Sequence, residues 1–143
     1  MSIWIFIIVA VLLYVYISYY YRYPATPKVL FAEAEPFPDQ LLYEKQPIIL
    51  MNAKTLPAHS GKALTIQPNQ WYKNNYKYLF IHPQSEQEIH LLPPTQKLSP
   101  DATLMTLQMK PTQVLVLPFH WQYITEAEVH AKGAHDWISW LLP

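Results

Sequence analysis

The stretch VLVLPFHWQYIT, residues 114–125, decides how the chain is read. Val114–Leu117 is a short apolar run bounded by a proline. It predicts a strand with Leu115 and Leu117 on one face and Val114 and Val116 on the other. After the aromatic break Phe119–His120–Trp121, residues 121–125 predict a second strand. His120, set between two rings, poses the chemical question: a metal ligand, or a hydrogen-bonded histidine of the core or its rim.

Outward from this segment the same punctuation recurs. ATLMTLQM (102–109) and QVLVLP (113–118) predict paired strands joined by a tight turn at Lys110–Pro111–Thr112. YKYLFIH (76–82) and EIHLL (88–92) predict strands flanking the polar turn PQSEQ, and PIILM (47–51) and ALTI (63–66) predict two more. PFPDQLLYEK (36–45) predicts a short helix, with Pro38 near its first turn and Asp39 at its positive end. The tail AHDWISWLLP (134–143) predicts a last helical turn or two packing Trp137 and Trp140 onto the sheet. Short strands with frequent turns and one early helix make a small all-β barrel or sandwich. Gly61 and Gly133 are the only glycines, so prolines and asparagines must supply most turns.

The 51% hydrophobic content is unevenly spread. Residues 2–21, SIWIFIIVAVLLYVYISYYY, hold no charge and no proline, whereas all 14 prolines and all ten acidic and ten basic side chains follow them. At about 1.5 Å per residue this segment matches the roughly 30 Å hydrocarbon core of a bilayer. No Lys or Arg precedes it and no small-residue cleavage site follows, which predicts a retained anchor rather than a signal peptide. Tyr19, Tyr20, Tyr21 and Tyr23 suit the lipid–water interface. Arg22 and Lys28, just past the helix, predict a single-pass protein with its C-terminal domain in the cytosol. The expected organisation is an anchor over 1–22, a Pro-rich connector over 23–35 and a β domain over 36–143. The seven residues RYPATPK (22–28) would hold that domain near the membrane.

Several function classes drop out. Zero net charge and no basic run argue against nucleic acid as a partner. The two glycines leave no phosphate-binding loop or dinucleotide fingerprint, and with no cysteine and no nucleophile elbow there is no nucleophile set up for acyl transfer. His82 and His90, with Glu86 and Glu88 between, could form a site across their hairpin, but a polar turn explains them as well. His130, His135 and Asp136 lack the compact spacing of a zinc module and read as surface residues.

EKQPIIL (44–50) after a short helix, YKYLFIHP (76–83) and QVLVLPFHWQY (113–123) fall in the order found in the JmjC-like branch of the cupin superfamily, which this chain resembles over most of residues 37–125. A membrane-anchored, shortened form of that domain also resembles proteins encoded by large DNA viruses with an internal membrane. The resemblance implies a cupin-like barrel or sandwich. Active members hold iron with a His-x-Asp/Glu pair and a distant histidine, leaving one face open for oxygen and 2-oxoglutarate. Here the late hairpin places Tyr123 where the distal histidine belongs, with His120 three residues too early. The only histidine where the pair belongs is His59, followed by Ser60 and Gly61, and no carboxylate occurs from Ala53 to Ser85. The resemblance therefore implies a degenerate site with no metal and no cofactor.

Three functions are expected in descending order. The first is a non-enzymatic structural or interaction module anchored through residues 2–21 and contacting other structural proteins. In a virus this is a minor capsid or membrane-to-capsid linking protein on the inner membrane, facing the capsid. The second is a membrane-bound binder of small molecules or sugars. The third is an iron oxygenase with displaced ligands such as His59, Glu88 and His120. The expected contact residues are aromatic: Trp71, Tyr72 and Tyr76 first, Trp137 and Trp140 second.

Overall fold

A computed structural model describes residues 2–20, 22–24, 26–53 and 62–134. Tyr21, His59, His135, Asp136, Trp137 and Trp140, and with them the expected C-terminal helical turns, lie outside the described residues. Helix α1, Ser2–Tyr20, is apolar throughout, and its Ser2–Tyr19 stretch is long and apolar enough to cross a membrane. None of that stretch is buried by the rest of the chain, as expected of a helix whose side chains face lipid.

The remainder is mainly β, in two sheets that pack face to face and remain open at their edges. The strands are β1 (Leu30–Glu33), β2 (Ile48–Met51), β3 (Lys62–Ile66), β4 (Tyr72–Lys73), β5 (Tyr78–Pro83), β6 (Gln87–Leu92), β7 (Met105–Met109), β8 (Val114–Pro118), β9 (Gln122–Thr125) and β10 (Val129–Ala134). One sheet runs β1-β2-β8-β5-β10-β3 and the other β4-β9-β6-β7. All pairs are antiparallel except β1 with β2.

Side-chain alternation sorts the core into two layers. Leu115 and Leu117 of β8, with Leu79 and Ile81 of β5, face Ile89, Leu91, Leu107 and Met109 of the opposite sheet. Val114 and Val116, with Ile48, Leu50 and Phe80, face the other way, where Phe37, Leu41 and Leu42 cover them. The cover is the expected early helix, formed as a 3-10 helix over Asp39–Glu44. Its tighter winding suits a six-residue cap that makes no longer stretch of helix. With both faces covered, all five residues of β8 are buried.

Two sequence expectations change. β7 and β8 are not a hairpin: the turn Lys110–Thr112 exists, but it carries the chain from one sheet to the other. β8 is apolar on both faces and takes a central place between β2 and β5, whereas β7 alternates in burial and stands at an edge. The second half of the expected connector is strand β1, paired to β2 from Leu30↔Ile48 to Glu33↔Met51. Residues 130–134 are part of β10, between β5 and β3, with His130 exposed as expected. There Gly133 lies directly beneath the ring of Tyr76, at a separation no side chain could occupy. Asn52 and Asn69 do supply turns, each with a positive φ.

Candidate functional site

The opening segment folds into β8, a turn at Phe119–His120, and β9. His120 takes a left-handed conformation, φ 70°, and only 4% of its surface is exposed. Its backbone N–H donates to Asn74 O at 2.7 Å, and its Nδ1 shares a hydrogen bond with the Tyr23 hydroxyl at 2.6 Å. The ring therefore fastens the segment after α1 to the domain. Asn74 secures the turn from the other side: its Nδ2 donates to the carbonyls of Leu117 and Pro118, at 3.0 and 2.8 Å. Its Oδ1 accepts from the Tyr76 N–H at 2.9 Å. Asn74 is 1% exposed and bonds both carbonyls at the entry to the turn, where Pro118 O has a longer second bond, 3.4 Å, from the Trp121 N–H.

Tyr123 lies in the core between the sheets with its ring stacked on Tyr72 at 5.6 Å. Burial, and then the neighbouring Tyr72 and Tyr76, push its hydroxyl above the ordinary tyrosine value, so it stays protonated. Trp121, 1% exposed, packs into the same core. Among the described residues no three His, Asp or Glu side chains come together as a metal site would require.

The displaced-ligand set is not brought together by its described members. Glu88 lies at the Thr125 end of the β6–β9 pair and receives a hydrogen bond from Gln108. Gln122, at the other end of that pair, is about 13 Å away along the strands, and His120 lies beyond it. His82 and His90 are also apart, because β5 and β6 belong to different sheets. His82 Nε2 meets Pro111 O at 2.7 Å, and His90 Nδ1 meets Thr106 Oγ1 at 2.9 Å.

The expected contact stretch divides. Tyr72 and Tyr76 are half-buried and pack onto the core between the sheets, so much of each ring is already used. Trp71 is half-buried too, while Lys73 and Asn75 are exposed.

The interface residues converge with parts of the domain that sequence patterning did not single out. Phe119 packs against Leu13 and Ile17 of α1. Lys45, in a left-handed conformation at the end of the 3-10 helix, donates from Nζ to Arg22 O at 2.9 Å and sits 3.8 Å above the Tyr19 ring. Next to it, Gln46 accepts from the Lys28 N–H and donates to Thr26 O, at 3.1 and 2.9 Å. The connector is strapped to the domain rather than free. No local periodicity marks Lys45, Gln46 or Asn74; the αL position after a short helix is the one signal that could have drawn attention to Lys45. Comparison with known proteins finds no matching family model, no matching curated protein and no matching solved structure.

Proposed function

We propose that this chain is a non-enzymatic, membrane-anchored structural protein whose β domain is held at the cytosolic surface of the membrane to contact another structural protein. The observation that carries the reading is the clamp between anchor and domain: Phe119 on Leu13 and Ile17, Tyr23 on His120, and Lys45 on Arg22 and Tyr19. A tether for a freely diffusing domain has no use for these contacts, whereas a linking element needs its two ends at a fixed separation. Core packing of Tyr123, Tyr72 and Trp121 supports the same reading, because these rings occupy the interior that a ligand would need.

Four neighbouring strands of the larger sheet, β3-β10-β5-β8, and the smaller sheet, β4-β9-β6-β7, follow the two strand orders of a jelly roll, the chain crossing between sheets at every step from β3 to β10 but β6–β7. That supports a degenerate cupin-like domain. The viral form of the proposal, a minor capsid protein joining an inner membrane to the shell, draws its support from the sequence resemblance. Isolating the intact chain from its native membrane tests the function. The expected result is stoichiometric recovery of a second structural protein. Recovery of the chain alone, with a small molecule or iron held tightly in the domain, would overturn it.

A further inference from the structure

Between the end of α1 and the domain runs a groove of about 650 Å³, walled by Val15, Tyr16 and Tyr19 on one side and by Leu42, Tyr43 and Tyr78 on the other. Lys77 and Asp39 also border it. Tyr19, Lys77 and Tyr78 continue from this groove into a smaller recess that reaches Lys45. We propose that the groove binds one anionic phospholipid of the leaflet on the domain's side, with acyl chain along Val15 and Tyr16 and phosphate beside Lys45 and Lys77. The inference rests on α1 being the membrane anchor.

Two observations select this occupant. The first is depth. One wall is the last turn and a half of the apolar span, so whatever lies against Val15 sits at the depth of acyl chains. A peptide there would bring backbone N–H and C=O groups into hydrocarbon without partners, whereas an acyl chain brings none. The second is charge. Arg22 and Lys45 are gathered where the span ends, and the described partners of the Lys45 ammonium are a carbonyl and a ring, not a carboxylate. Burial, and then the adjacent Arg22 guanidinium, lower Lys45 to about 8. A phosphate alongside would relieve that repulsion. Among the described residues Asp39 is the one acid bordering the groove, against two lysines around the groove and recess.

The test uses the intact chain reconstituted in vesicles of equimolar phosphatidylserine and phosphatidylcholine, then released into detergent for native mass spectrometry. One phosphatidylserine per chain should be retained in preference to phosphatidylcholine. Lys45→Asn, which keeps a residue suited to the left-handed conformation, should lower the preference roughly fivefold, and Lys45→Arg should restore it. Near-ultraviolet circular dichroism confirms that each variant is folded. Equal retention of the two lipids by the wild-type chain, or an undiminished preference in folded Lys45→Asn, overturns the site. Alkaline carbonate separates this from failure of the anchor: a chain that resists extraction yet shows no preference loses the lipid site alone. A chain that is extracted loses both.

Discussion

Lys45 is held where its charge is costly. Its amino group titrates near 8 in the folded chain because of burial first and Arg22 second, against 10.5 when unfolded. Below about pH 8 both states carry the proton, and the folded state bears the cost in full. Between 8 and 10.5 the unfolded chain holds more protons than the folded one, so stability rises with pH across that window. The thermal midpoint of the intact chain in neutral detergent should climb over this range, and Lys45→Asn should flatten the climb. A wild-type midpoint indifferent to pH there would show that Lys45 is not desolvated. Asn74 works in the opposite sense, as a polar group that stabilises by being buried. Asn74→Ala removes two donated bonds and one accepted bond, leaving Pro118 O only its 3.4 Å bond from the Trp121 N–H, and should cost about 2–4 kcal/mol in denaturant unfolding. A loss below about 1 kcal/mol would mean that water takes over those carbonyls.

Among the elements, what the sequence made legible was the existence of strands, and what it hid was their partnership. PIILM, ALTI, EIHLL and QVLVLP each declare a strand by local apolar content, and each became one. The turn at Lys110–Thr112 was legible too, but a turn signal states only that the chain reverses, not which sheet receives it. β10 has a weak local signal because two of its inward residues, Ala131 and Gly133, are small, and only the ring of Tyr76 above Gly133 explains why that position must be. The same limit applies to the site. The contacts of Lys45, Gln46 and Asn74 join residues up to 44 positions apart and have no local signature. The alternation in β8 was readable and carries a prediction. Leu115 and Leu117 are fully buried between the sheets, so Leu115→Ala and Leu117→Ala should each cost about 2–5 kcal/mol. Against a typical domain stability of about 5–15 kcal/mol, either change should appear as a clearly lowered denaturant midpoint. Losses under about 1 kcal/mol would remove β8 from the core.

At the scale of the whole molecule the decisive quantity is how far the domain stands from its anchor. The segment 22–28 could extend to roughly 20–25 Å, enough to let a domain drift well clear of the headgroups. The contacts argue for something closer. Leu13 precedes Tyr19 by six positions, so Phe119 reaches about 9 Å back along the helix from the end of the apolar stretch. If α1 spans the bilayer, the β8–β9 turn then reaches through the headgroup layer, about 5–8 Å thick on each side, and brings the Phe119 ring to the edge of the hydrocarbon. The chain has no cysteine, so engineered pairs report this distance without background. Ile17→Cys with Phe119→Cys should form a disulfide readily when the protein in vesicles is oxidised. Ile8→Cys with Phe119→Cys, two and a half helical turns farther from the domain, should not. Inserting about ten Gly/Ser residues after Pro24 should slow the first cross-link only modestly, because the Tyr23–His120 bond lies before the insertion and survives it. Failure of the Ile17–Phe119 pair to cross-link in a folded, membrane-inserted chain would mean that the domain swings freely on its connector. The fixed spacing on which a linking function depends would then be gone.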